Sequence, residues 1–246
     1  MARFFMAGCN AIGGIVLLTG ADAEHARALR LRVGDHIVVC DGAGTDRRCK
    51  IRRFIAEGCE AEVEEIVANK AEPTVRVTVL AGLPKQPERS DFTVQKCTEC
   101  GAQELIFFRS RRCISAPTKQ GLEKRLARMQ RIAEEAAKQC GRGIVPRVSA
   151  VCEFAAALEA AKKTELPLLL YETGERVPLR EALEGAGSFS SAAILTGPEG
   201  GFEPFEAELA RKLGFRVCSM GPRILRCETA PVAALTALMY ATGNLN

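Results

Sequence analysis

Two short glycine-rich turns near the end of the chain constrain its fold more than any other feature: Thr196-Gly197-Pro198-Glu199-Gly200-Gly201 and Met220-Gly221-Pro222-Arg223-Ile224-Leu225-Arg226. Each follows a strand-like run, Ala192 to Leu195 and Phe215 to Ser219, and each leads into a helical pattern. Repeated strand-turn-helix units build a parallel sheet covered by helices. Open sheets of this kind hold ligands at the carboxyl ends of their strands, so the two turns are expected beside each other on neighbouring strands, forming one site.

Charge narrows what that site can hold. A glycine turn between strand and helix often cradles phosphate, because bare backbone N–H groups face an anion. Here Glu199 lies inside the first turn and no Lys-Ser or Lys-Thr follows it, so a polyphosphate would be repelled. The pair suits a ligand with adenine and ribose edges, which need close backbone approach, and a charge that is not strongly negative. S-adenosylmethionine, with its sulfonium, meets those terms. Taken singly, either Gly-Pro pair reads equally well as a plain turn.

The rest of the chain divides in two. Up to about residue 70 the elements are short, with strands at 15–19, 36–40, 49–55 and 59–67, a helix at 21–31 and a tight Asp41-Gly42-Ala43-Gly44 turn, which suggests a small β barrel. From 74 to 246 strands at 74–80, 105–108, 168–171, 192–196 and 215–219 alternate with helices at 91–100, 121–140, 151–162, 204–213 and 231–242, the pattern of an α/β domain. The linker falls at 69–73. The last helix is apolar on nearly every face and is expected to be buried all round, against the loops and a second subunit, with Thr229 as its N-cap and Pro231 in its first turn.

Net charge is only +4, yet residues 85–147 hold fourteen Lys or Arg against seven Asp or Glu, a block that fits a polyanionic partner or a solvated helix face. Arg47, Arg48, Lys50, Arg52 and Arg53 share one hairpin; Lys124, Arg128, Arg131 and Lys138 lie close to one helical stripe, with Arg109, Arg111 and Arg112 beside it. With no Trp and two Tyr, base stacking supplies little, so phosphate contacts would dominate and weaken with salt. Eleven cysteines, spread from Cys9 to Cys227, read as reduced thiols of a cytoplasmic protein. Cys97 and Cys100 have no second Cys pair, and the two histidines are His25 and His36, so no metal site is expected. The apolar N-terminus imitates a secretory signal, but Asn10, Gly13 and Gly14 interrupt it and it is too short to span a membrane.

The two turns in this order, followed by Glu228-Thr229-Ala230, resemble the signature of the ribosomal RNA small subunit methyltransferase E family, SPOUT enzymes that methylate N3 of a uridine in small-subunit rRNA. The resemblance extends to Arg3-Phe4-Phe5, His25 to Asp35, Asp41 to Gly44, Lys96 to Gly101 and Gln139 to Pro146, with Cys97, Cys100, Cys140 and Cys227 as departures, the last where Thr is usual. It implies an α/β fold with a C-terminal trefoil-knotted SPOUT methyltransferase domain and a PUA-like β barrel, and a homodimer formed through the knot region. S-adenosylmethionine would be held by Leu195, Thr196, Gly197, Pro198, Glu199, Gly200 and Gly201, by Met220, Gly221, Ile224, Leu225 and Arg226, and by Glu228, Thr229 and Ala230. The rRNA or the 30S subunit would meet the basic clusters together with Arg3 and Arg142. As N3 loses its proton, charge spreads onto O2 and O4, where a fixed guanidinium helps. Arg226 is the first candidate and Arg223 the second, either of them alternatively tied to Glu199 or Glu228 in a structural ion pair. Glu199 and Glu228 are the open choices for the proton acceptor. A tRNA enzyme, a non-catalytic assembly protein and a cysteine-dependent metal or redox protein are the competing readings.

Overall fold

The computed structural model describes residues 1–8, 11–151 and 153–245; Cys9, Asn10 and Cys152 lie outside the described residues. The chain forms two compact units, residues 1–72 with 137–145, and residues 73–136 with 146–246. A single cut near residue 70 does not anticipate that 137–145 joins the first unit, because that segment is held there by contacts distant in sequence: Glu72 binds Arg142, and Cys40 Sγ donates to the carbonyl of Gly143 at 3.1 Å.

The first unit is one sheet in the order β1-β3-β4-β5-β2, made of β1 (Ala2–Phe5), β2 (Ile15–Thr19), β3 (His36–Cys40), β4 (Thr45–Ile55) and β5 (Gly58–Ala68), with helix α1 (Gly20–Ala28). Register shifts between Arg48 and Cys49 and between Ile51 and Arg53 interrupt the long β4-β5 ladder. Such bulges bend a strand and raise its twist, which lets the sheet curl around Phe4, Val16, Leu18, Ile37, Val39 and Ile51. The Arg3-Phe4-Phe5 segment lies in a strand parallel to β3, with Phe4 wholly buried.

The second unit is an all-parallel sheet in the order β10-β12-β9-β11-β6-β7-β8. Its strands are β6 (Arg76–Gly82), β7 (Glu104–Phe108), β8 (Arg147–Val151), β9 (Leu166–Leu170), β10 (Val177–Pro178), β11 (Ser191–Thr196) and β12 (Arg216–Ser219). Near-continuous apolar runs such as β9 and β11 are what burial on both faces demands. Pro167 is tolerated inside β9 because the ladder to β12 begins only at Leu168. The helices are α2 (Pro87–Glu99), α3 (Lys119–Cys140, its last turn in the first unit), α4 (Phe154–Ala161), α5 (Leu179–Glu184), α6 (Pro204–Lys212) and α7 (Thr229–Ala241). The short elements β8, β10 and α5 carry too little periodicity to be read from sequence.

One expectation for α7 is corrected. Glu228, not Thr229, holds the N-cap position, and no side chain caps the helix. Within the single chain Pro231, Ala234, Leu235, Leu238 and Met239 pack inward, while Thr236 is exposed and Tyr240 is 70% exposed. The exposed face is itself poor in charge, so composition alone could not separate the two sides.

Candidate active site

β9 lies between β11 and β12, so the two glycine turns are not on neighbouring strands as expected. A third loop, Tyr171-Glu172-Thr173-Gly174 after β9, enters between them. The three loops enclose a cavity of about 300 Å³, a size suited to a small ligand.

Each loop is held from below. After the first, Phe202 is buried against Phe108 and Phe154, with ring centroids 6.2 and 5.5 Å apart. Glu203 and Glu206 then form a reciprocal capping box that starts α6. Glycine is required at two places. A Cβ at Gly201, whose φ is +68°, would lie 2.0 Å from Glu172 Oε1, and one at Gly82, the last residue of β6, would lie 2.3 Å from the nitrogen of Pro198. The second loop is tied to α7 by the N–H groups of Thr229 and Ala230, both donating to the carbonyl of Arg226 at 2.9 Å.

Of the residues expected around the cofactor, Thr196, Gly197, Pro198, Glu199 and Gly201 line the cavity from the first loop. Met220, Gly221, Ile224, Leu225, Arg226 and Ala230 line it from the second, joined by Arg223, the second arginine expected to act on the reacting base. Leu195 is wholly buried in β11, Gly200 packs outward on Arg112, Thr229 is exposed, and Glu228 stands one step behind the lining. Thr196 is 1% exposed, and its hydroxyl has no hydrogen-bond partner among the described residues. Sequence reasoning missed Arg89, Glu172 and Arg176 in the lining. The run Leu166–Leu170 ahead of a Gly-containing turn was the available signal for Glu172; Arg89, in the first turn of α2, had none.

Arg89 organises the electrostatics. Its Nη1 lies 3.8 Å from Glu199 Oε1 and 3.6 Å from Glu228 Oε2, and 3.7 Å from the Cys227 sulfur, while Glu199 Oε1 also accepts the N–H of Lys85 at 3.0 Å. The Cys227 thiol donates to Glu228 Oε2 at 3.2 Å, so a thiol fills the donor and acceptor position where the family resemblance leads one to expect a hydroxyl. Burial, reinforced by Glu228 and opposed by Arg89, pushes that thiol up to about 11, and it stays protonated at neutral pH. Burial would raise Glu228, but the backbone N–H, the Cys227 thiol, Arg89 and Arg226 outweigh it and hold the carboxyl below its ordinary value. The ion pair foreseen for Arg226 is thus formed by Arg89. Arg223 and Arg226 are exposed at the cavity and make no ion pair among the described residues.

The basic residues expected to meet RNA fall into two groups. In the first unit Arg3 is bound bidentately by Asp46 at 2.6 and 2.7 Å, and Arg142 is 2% exposed against Glu72. Both are internal pins, which corrects their assignment to RNA. Arg47 is mostly covered and faces Asp41; Arg48, Arg52 and Arg53 are matched across the hairpin by Glu65, Glu62 and Glu60, and Lys50 is half-buried. In the second unit Arg112 pairs with Glu203, and Arg128 lies 2.7 Å from Asp91 but off the line a hydrogen bond needs. Arg109, Arg111, Lys124 and Arg131 are exposed without an ion pair among the described residues, whereas Lys138 faces Asp22 in the first unit.

No cluster of His, Cys, Asp or Glu among the described residues could hold a metal, and no helix is long and apolar enough to cross a membrane. Comparison with known proteins matches residues 70–239 to the family described as an RNA methyltransferase domain and residues 18–66 to an RNA methyltransferase PUA domain. The chain is 32% identical to the ribosomal RNA small subunit methyltransferase E of Bacillus subtilis over 92% of its length and 90% of the relative's. It is 34% identical to that of Synechocystis over 96% and 76%. A crystal structure of the enzyme of this name from Neisseria gonorrhoeae, bound to S-adenosyl methionine, is 30% identical, covers 98% of this chain and 97% of its own, and superposes with a TM-score of 0.84. The second unit is therefore a SPOUT-type methyltransferase fold and the first is PUA-like. With one domain model spanning most of its length and relatives aligned almost end to end, the chain belongs to the RNA methyltransferase family of the ribosomal RNA small subunit methyltransferases E.

Proposed function

We propose that this protein transfers a methyl group from S-adenosylmethionine to N3 of a uridine in small-subunit ribosomal RNA. The observation that carries the reading is a three-loop cavity whose lining includes two exposed arginines, Arg223 and Arg226, that make no ion pair among the described residues. The cavity fits the cofactor. Backbone comes close at Gly197 and Gly201, the Thr196 hydroxyl lacks a partner among the described residues, and Glu172 and Glu199 supply negative charge for a sulfonium and an ammonium. When bound, S-adenosylmethionine supplies an electrophilic methyl group.

The chain's own residues do the rest. The loops hold both partners in line, which provides much of the rate in a transfer of this kind. Arg226, seconded by Arg223, stabilises the negative charge that grows on O2 and O4 as the N3 proton leaves, and an arginine keeps its charge at any working pH. Glu228, held below the usual carboxylate range, is a weak proton acceptor. Glu199 has one oxygen engaged by Lys85 and Arg89 while Oε2 makes no hydrogen bond among the described residues, and we assign proton acceptance, directly or through one water, to it.

RNA is drawn by the unpaired charges Arg109, Arg111, Lys124 and Arg131 of the methyltransferase unit and by the PUA-like unit. A homodimer forms through the exposed face of α7 around Thr236 and Tyr240, next to an apolar hollow of about 820 Å³ lined by Leu179, Leu183 and Phe189. Nine described cysteines are free thiols, which suits the cytoplasm. The test is labelled-methyl incorporation into small subunits from a strain lacking the gene, with the modified base mapped, using wild type and Arg226→Ala. The variant is expected to lose transfer while binding S-adenosylmethionine within about tenfold, roughly 1.4 kcal/mol. Retained turnover refutes the role of Arg226, and methylation mapped to tRNA or to another base refutes the substrate.

A further inference from the structure

Arg89 is unassigned by the reaction just described, yet it bridges Glu199 of the first glycine-rich loop and the Cys227-Glu228 step that directly follows the second. Its Nη1 meets Glu199 of the first loop at 3.8 Å and, just past the second, Glu228 at 3.6 Å and the Cys227 sulfur at 3.7 Å. The arginine is itself fixed from α2, where its Nε donates to Gln86 Oε1 at 2.9 Å. All three partners converge on a single nitrogen; the two carboxylate distances are longer than a charged N–H···O hydrogen bond, which runs about 2.7–2.9 Å, while the sulfur at 3.7 Å is within reach for that larger acceptor. The side chains of Arg89, Glu199 and Glu228 are 24%, 24% and 18% exposed, so solvent screens the group only in part. A cluster held at ion-pair range without close hydrogen bonds has room to tighten, as site geometry often does when a ligand enters.

The loops reach this arginine from opposite sides of β9, since β11 and β12 do not pair with each other. No backbone ladder couples them directly, and the guanidinium supplies the connection. We propose that Arg89 is a positioning residue that locks the two loops to each other, so that the donor meets a closed cradle only when both Glu199 and the Cys227-Glu228 step are engaged by the same cation. The inference rests on the proposed binding of S-adenosylmethionine in this cavity.

Calorimetric titration with S-adenosylmethionine tests it without requiring turnover. Arg89→Met is expected to raise Kd about tenfold, Glu228→Gln several-fold, and the double variant no more than about twofold beyond the worse single, because both break one lock. Since the partners gather on one nitrogen, the point charge of Arg89→Lys should restore affinity to within about threefold, a rescue that a merely space-filling role would not give. If the Met variant does not fold, Arg89→Gln takes its place in the same cycle. Wild-type affinity in Arg89→Met, or losses in the double variant that multiply, overturn the lock. Failure of the wild type to bind S-adenosylmethionine overturns the cofactor reading and the lock together, which separates the two failures.

Discussion

Replacing Thr196 by Val should stabilise the free protein and weaken its hold on the donor. The hydroxyl of Thr196 is shut off from solvent at the end of β11, beside the cavity, and has no partner among the described residues. A buried polar group without a hydrogen bond costs about 1–3 kcal/mol. Valine keeps nearly the same volume, suits a strand, and removes that cost. Taking the lower figure, about 1 kcal/mol, Tm should rise by roughly 2–4 °C for a unit of this size. A donor seated in the cavity would give this hydroxyl the partner it lacks once the loops adjust around it, and as one such hydrogen bond contributes about 0.5–1.5 kcal/mol, Kd should rise by roughly two- to twelvefold. Scanning calorimetry of the ligand-free protein and isothermal titration with the donor read the two effects separately. A purely structural substitution would move both measurements in one direction. A free variant that melts lower than wild type, or one that melts higher and binds the donor equally well, would refute this role for the Thr196 hydroxyl.

Two other substitutions probe the internal packing of each unit. Gly82→Ala places a methyl 2.3 Å from Pro198 N and 2.9 Å from the carbonyl carbon of Gly197, backbone atoms that can yield only by shifting the first loop. Titration should show donor affinity lowered more than tenfold, and unchanged affinity would mean that the loop is not fixed by β6. Asp46→Asn breaks the bidentate pair with Arg3 and should cost about 3 kcal/mol near neutral pH, the scale for stripping one partner from a buried pair. Burial would raise Asp46, but Arg3 and Asn69 hold it below its ordinary 3.8, so its contribution is whole above that pH and is lost as pH falls toward the lower folded value. Denaturant titrations from pH 7 to pH 3 should therefore show wild type and variant converging on the acid side; a constant gap would refute the linkage.

How much was legible in advance follows from the range of each signal. Glycines, prolines and apolar runs act within a few residues, so the sequence by itself determined both turns, the alternation of strand and helix, the two-part organisation and most of the lining between Thr196 and Gly201 and between Met220 and Arg226, Gly200 excepted. It could not show that β9 intervenes between β11 and β12, because strand order is set by which faces pack together across the whole sheet. Hence the third loop with Glu172 was missed. Charged side chains were equally silent about their partners. Arg3 meets Asp46 and Arg142 meets Glu72 across 43 and 70 residues, and nothing local separates these internal pins from exposed Arg109 or Lys124. Arg89 is the sharpest case. It joins Glu199 and Glu228 only because the fold brings the start of α2 to the two loops, an outcome of tertiary packing that no periodicity along the chain encodes.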